Sequence, residues 1–249
     1  MKRHLSYLGM LAVSVAPIAL SACSSNSNTS QDTGLTGPAQ TTATADTNPY
    51  GVAYPTQNLG YLARRGNVPG NIIQNYKFLG HAAAADSGSE LDPTQPLTTV
   101  ALADYFDPQG KLGPNGVGIK IIHLSVAAYW CVPCNDETDS TVAVAAGLTQ
   151  KGVVFVQALD DGPAEGTPAT TTDLTNWINK HKSNFTEMLD PGLRNLGQFF
   201  DAAAVPFNAN IDARTMEILS AGVGEPASIT NDVQQWLNWV AANPVPAAQ

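Results

Sequence analysis

From about Asn71 the apolar positions fall into short runs, separated by Gly, Pro, Asn and Asp, that read as strands alternating with helices. Tyr76–His81 is expected as an edge strand, and Leu97–Phe106 as a short strand followed by a helical turn. A Gly/Pro-rich connection spans 107–118. The strongest strand is Ile119–Ala128, where Ile119, Ile121, Ile122, Leu124 and Val126 sit in a largely apolar run. Such a run suits a central strand buried on both faces. A helix is expected from the cysteines near 131 to about Gln150, ended by Lys151-Gly152, and Val153–Leu159 is a second buried strand. Asp173–Lys182 and Leu193–Asp201 read as helices, with Trp177, Ile178 and Phe185 supplying core. Phe207–Ile211 and Met216–Ala221 form a hairpin, and Ser228–Ala242 a closing helix with Ser228 near its N-cap. Together they predict a single α/β sandwich of about 170–180 residues.

The chain ahead of Asn71 does not follow this pattern. Lys2 and Arg3 precede an apolar run from Leu5 to Leu20 that contains Ser6, Ser14 and Pro17. It is too short and interrupted for a membrane span of ~20 residues and reads as a secretory signal over 1–22. Leu20-Ser21-Ala22-Cys23 resembles a bacterial lipobox, which implies lipidation of Cys23 as the first mature residue. The alternative is an ordinary signal cut nearby, with Cys23 incidental. Residues 23–49 follow as a low-complexity tether: 20 of the 26 residues from Ser24 to Pro49 are Ser, Thr, Asn, Gln, Gly or Pro. That composition offers too little apolar surface to offset the entropy of ordering. Residues 50–70 form an N-terminal extension whose Tyr50, Tyr54 and Tyr61 are candidates to pack on the domain, which then covers 71–249.

Charge narrows the partners. Without Lys2 and Arg3 the chain has ten basic residues against 21 acidic ones. An acidic surface with no basic cluster repels phosphate backbones, so no nucleic-acid partner is expected. No later segment is apolar and long enough to span a bilayer, so the membrane is reached through acyl chains on Cys23.

Of the three cysteines, Cys131 and Cys134 remain once Cys23 carries lipid. They lie in Trp130-Cys131-Val132-Pro133-Cys134, where the central strand gives way to a helix. A thiol at a helix N-terminus faces unsatisfied N–H groups and the positive end of the macrodipole, which favour thiolate. A second thiol one turn later reaches a mixed disulfide formed by the first and resolves it. Pro133 is tolerated in the first turn, where its missing N–H has no intrahelical duty. Half a zinc site looks the same, but His81, His123 and His181 are scattered without ligand spacing, so no metal and no cofactor is expected.

Lys120-Ile121-Ile122, Trp130-Cys131, Cys134 and the later Val205-Pro206 resemble the thioredoxin superfamily, and more narrowly the membrane-tethered TlpA/ResA-type redoxins. The resemblance covers about 71–242 and implies a thioredoxin-like three-layer α/β/α sandwich with a central mixed sheet. It implies a thiol-disulfide oxidoreductase acting on exported proteins, supplied by an envelope electron donor. It also implies that Pro206 is cis, and that Trp130, Val205 and Pro206 flank the bound client. Glu137 matches the family's CxxC-x-x-E pattern and would influence proton transfers at the cysteines. An acid in the first turns of a helix is favoured by the macrodipole in any case, so both readings stand.

Departures from the family matter as much. The buried acid that thioredoxin places six residues before the first Cys is Ser125 here. His123, on the same strand face, either substitutes as a proton carrier or is a packed core histidine. Ala128 stands where peroxiredoxins carry Thr, and the cysteine spacing differs from that of copper chaperones. Asp136 and Asp139 read as solvated charges. Asp136, Glu137 and Asp139, with no Lys or Arg near the motif in sequence, favour a reductase over a strong oxidant. A non-catalytic redoxin-like binding lipoprotein is the competing class. Ser24 after the lipidated Cys suggests sorting to the outer membrane, facing the periplasm.

Overall fold

The computed structural model describes residues 47–56, 64–65, 67–84, 88–199 and 204–245. The signal segment, Cys23, most of the tether and Tyr61 lie outside them.

Among the described residues nine strands form one sheet: β1 (Arg64–Arg65), β2 (Asn71–Ile72), β3 (Lys77–His81), β4 (Thr98–Ala101), β5 (Ile121–Ala127), β6 (Val153–Leu159), β7 (Thr186–Leu189), β8 (Phe207–Asp212) and β9 (Glu217–Val223). Their order is β1-β2-β9-β8-β5-β6-β7-β3-β4. β5, β6 and β7 run parallel, and β8 and β9 pair antiparallel beside β5, so the sheet is mixed as expected. All seven residues of β5 are buried. Ile122, Leu124 and Val126 join the core on one face, while Ile121 and Ala127 join the helical side.

Three α-helices follow: α1 (Val132–Thr149), α2 (Thr171–His181) and α3 (Ile229–Ala242). Right-handed crossovers between successive parallel strands put α1 and α2 on one face. They meet there, with Asn184 Nδ2, just past α2, donating to the Val142 carbonyl at 3.1 Å. α3 joins them through Ile121, Leu148 and Val233. The α2 N-terminus is a capping box of Thr170 and Asp173, and Ser228 Oγ caps α3 by accepting from Asn231 N–H. The opposite layer is made of 3-10 turns at Leu102–Tyr105, Pro191–Leu193 and Leu196–Gln198 together with the segment around Tyr54, Ile72 and Ile73. Packed structure reaches back to Asn48, whose Nδ2 donates to the Phe106 carbonyl at 2.9 Å. Tyr54 is buried against Phe106, but Tyr50 stays 55% exposed.

Three expectations need correction. Tyr76–His81 is not an edge, because β3 lies between β7 and β4. Gly80 permits this, since a Cβ there would sit 2.7 Å from the Met188 Cα of β7. β7 itself was not anticipated as a strand: Glu187 interrupts its apolar pattern, yet all four residues are buried. The helix expected over Leu193–Asp201 is replaced, as far as Phe199, by 3-10 turns. Gly192 and Leu193 both take positive φ, and the Asp190 carboxylate accepts from Asn195 and Leu196 N–H groups at 2.9 and 2.8 Å, turning the chain.

One buried side chain gathers three backbone groups in and next to the 107–118 connection. The buried Asp107 carboxylate accepts from the backbone N–H groups of Lys111, Leu112 and Ile119 at 2.8, 3.0 and 2.8 Å. Asp107→Ala would leave these donors without that acceptor, and should cost about 3 kcal/mol of stability. Urea unfolding of parent and variant measures it, and a change below about 0.5 kcal/mol would show that the loop does not depend on Asp107.

Candidate redox site

The C-terminal end of β5 delivers Cys131 to the start of α1. Cys131 is the N-cap residue, in extended conformation, and its Sγ accepts the Cys134 N–H at 3.2 Å. Cys131 and Cys134 are joined as a disulfide, with Cα atoms 5.3 Å apart. Cys134 is wholly enclosed at 0% exposure and Cys131 keeps 3%, so Cys131 is the sulfur with the greater access to solvent. An amide hydrogen bond and the helix N-terminus both stabilise negative charge on that sulfur.

The proline strand comes to the same place. The Val205–Pro206 bond is cis, as the resemblance implied, and the Val205 carbonyl oxygen lies 3.6 Å from Cys131 Sγ. Gly224 N–H donates to the Pro206 carbonyl at 2.8 Å, tying this turn to the end of the hairpin. Trp130 and Val205 pack, half-buried, against the cluster holding the cysteines. Trp130 Nε1–H donates to Asp161 at 3.2 Å, and Val132 between the cysteines is 69% exposed.

A parallel run β5-β6-β7, an antiparallel hairpin on its other side and a Cys pair opening the first crossover helix decide the architecture. The fold is thioredoxin-like.

No protein-family model and no curated protein matches the chain. Solved structures similar to it include the thioredoxin domain of a thiol-disulfide oxidoreductase from Bacteroides vulgatus, at 15% identity over 70% of this chain and 100% of that one, with a TM-score of 0.47. An exposed lipoprotein thioredoxin from Streptococcus pneumoniae is 20% identical over 66% of this chain and 98% of that one, TM-score 0.43. A 2-Cys peroxiredoxin from Plasmodium vivax is 10% identical over 71% and 98%, TM-score 0.48. Likeness at this level does not select a chemistry; the side chains must.

Glu137 is 1% exposed, one turn beyond Cys134 on the buried side of α1. Asn208 of β8 donates Nδ2–H to its Oε2 at 2.8 Å. Burial pushes the Glu137 carboxyl up to about 8; the Asn208 bond opposes this, while the charges of Glu225 and Asp232 add to it. At the position of thioredoxin's acid, Ser125 instead accepts from Gln157 Nε2 at 3.2 Å. Gln157 Oε1 accepts from Trp177 Nε1–H at 3.0 Å and lies 3.1 Å from the Thr138 hydroxyl. His123 is buried, with Nδ1 2.9 Å from Asn210 Oδ1.

A positive charge near the motif escaped the linear reading. Lys180 at the end of α2 contacts Asn135 Oδ1 and lies over the rings of Tyr129 and Trp177, 5.6 and 5.8 Å from their centroids. Asn135 in turn donates Nδ2–H to the Cys131 carbonyl at 2.6 Å. Asp139 is exposed as expected, but it pairs with His181 Nδ1 at 2.6 Å. Only the i, i+3 and i+4 rows of two packed helices bring these groups together, and sequence distance hides that.

Glu137 generates a test of sign. The folded chain holds this proton more tightly than the unfolded chain, whose carboxyl titrates near 4.5. Its contribution is therefore fully present below about pH 4.5 and lost as pH rises through about 8. Glu137→Gln should gain stability relative to the parent between about pH 5 and about pH 9, by on the order of a few kcal/mol in urea unfolding. Parallel profiles for the two chains would mean that Glu137 does not carry the raised titration.

Proposed function

We propose that the chain is a lipid-anchored thiol-disulfide oxidoreductase of the cell envelope that reduces disulfides of exported proteins. The observation that carries it is the position of Cys131. Its sulfur accepts a helix-terminal N–H, faces the Val205 carbonyl and has a buried acid one turn beyond its partner thiol.

In the reduced protein the Cys131 thiolate attacks a client disulfide, forming a mixed disulfide and expelling the first client sulfur as thiolate. Glu137 as carboxylate takes the Cys134 proton. The Cys134 thiolate then attacks Cys131 Sγ, regenerating the Cys131–Cys134 disulfide and releasing the second client sulfur. Val205 offers backbone groups to an extended client segment, and Trp130, Val132 and Pro206 supply an apolar rim. An envelope electron donor restores the dithiol. Burial raises Asp160 to about 7, with Asp161's charge adding to the effect, and raises Asp190 to about 6. The acids Asp136, Glu137 and Asp139 downstream of the motif support the reducing direction, since they do not favour an extremely stabilised thiolate. Lys180 acts the other way and moderates this bias.

The anchor is Cys23, which faces the periplasm from the outer membrane. Among the described residues no helix is long and apolar enough to cross a membrane. On the lipid-anchor reading, Cys23→Ser should leave the membrane fraction on cell fractionation. Continued co-fractionation with membranes would remove the lipid-anchor reading.

The division of labour has its own test. Cys134→Ser should accumulate mixed disulfides with envelope proteins on non-reducing gels, because Cys131 attacks and nothing resolves. Cys131→Ser should accumulate at least about tenfold fewer. Equal trapping by both variants would refute the assignment of Cys131 as attacking thiol.

A further inference from the structure

Beneath the cysteines, four polar side chains form a buried row whose hydrogen-bonding capacity does not balance. Asn210 uses its Nδ2 donors on Ser220 Oγ at 3.0 Å and Asp232 Oδ2 at 2.7 Å. Its Oδ1 therefore faces His123 Nδ1, which carries the hydrogen and donates. Asn208 uses its Nδ2 donors on Glu137 Oε2 at 2.8 Å and the Gly224 carbonyl at 3.2 Å. Two buried atoms are left without a partner: His123 Nε2 and Asn208 Oδ1. In a neutral ring both are acceptors, and neither can satisfy the other. Their residues are 1% and 8% exposed. They are diagonal neighbours on one face of the sheet, since β5 and β8 pair His123 with Asn210 and Ser125 with Asn208.

We propose that His123 is a second proton-binding group of the redox site: protonated on Nε2, it donates to Asn208 Oδ1 and thereby favours Glu137 as the carboxylate that takes the Cys134 proton. This deepens the oxidoreductase reading and rests on it. One proton at Nε2 supplies the missing donor for Asn208. The Asn208 amide then lies with its oxygen toward the imidazolium and its Nδ2–H toward the carboxylate, bridging opposite charges. Asp232 Oδ2, 3.9 Å from His123 Nδ1, is the counter-charge on the far side. His123 is a positioning residue here, because it acts on Glu137 only through Asn208.

The groups bearing on this pair come from every side. α3 contributes Asp232, the turn after β9 contributes Glu225, and β6 contributes the uncharged Phe155 ring, 5.4 Å from His123. Burial holds the His123 ring below its ordinary value, and Asn210, Asp232 and Asn208 offset this only in part. In the proposed arrangement the Glu137 carboxylate, bonded to Asn208 Nδ2, is a further support for the ring's charge.

The experiment follows His123 in the full-length chain by long-range proton–nitrogen spectra across a pH titration, and client reduction in parallel. Glu137→Gln should lower the pH at which the His123 ring titrates by about one unit. His123→Gln should move the acid limb of insulin reduction up by about one pH unit and slow resolution about tenfold near neutrality. Alkylation of Cys131 in that variant should stay within about twofold of the parent, and His123→Gln should add nothing in a Glu137→Gln background. A ring that stays neutral throughout, a His123 titration indifferent to Glu137→Gln, or identical pH profiles for parent and His123→Gln would overturn the proposal. The spectra do not depend on turnover. A chain that reduces no client disulfide would sink the functional reading, while the response of His123 to Glu137→Gln still decides the coupling. They also decide it if His123→Gln fails to fold.

Discussion

A strand buried on both faces leaves its polar side chains no route to water, and β5 carries two of them, His123 and Ser125. Each must be met by a partner that the fold brings to it, because an unmet buried polar group costs more than its hydrogen bond returns. β6 answers Ser125 with Gln157, and β8 answers His123 with Asn210. The same strand ends at the turn that places Cys131 on the helix N-terminus. The need to satisfy the interior of β5 and the position of the reactive sulfur are thus settled by one set of pairings, β6-β5-β8.

Two polar systems result, divided by the cysteines they support. On the β6 side, Ser125, Gln157, Thr138 and Trp177 close a neutral network under the first turns of α1. On the β8 side, Glu137, Asn208, His123, Asn210 and Asp232 form an ionisable row that leads to the start of α3. The neutral network bonds to the first turns of the helix, whereas the second row contains the ionisable groups. Ser125 stands on the central strand where thioredoxin has an acid, and the buried acid of this region, Glu137, comes from α1 and bonds to Asn208. The rim above is apolar and partly open, with Val132 standing out at 69% exposure.

The sequence alone determined the elements whose signal is local. The apolar run of β5, the identical bounds of β6, the hairpin of β8 and β9, the Ser228 cap and the Cys pair at a strand-to-helix junction all depend on residues close together in the chain. The resemblance anticipated the cis bond before Pro206. Tertiary structure decided whatever depends on long-range company. β7 is a strand because it fits between β6 and β3, which tolerates Glu187 in a way no local pattern shows. Asp190 and the positive φ of Gly192 and Leu193 overrule the helical periodicity that follows them. Lys180 joins the Cys131 surroundings only when α2 packs on α1. His123 gains its orphaned nitrogen and Asn208 its orphaned oxygen only when β8 pairs with β5. The division has a physical reason. Propensity, capping and helix-end chemistry act within a few residues, whereas burial and hydrogen-bond completion depend on which distant groups arrive beside a side chain.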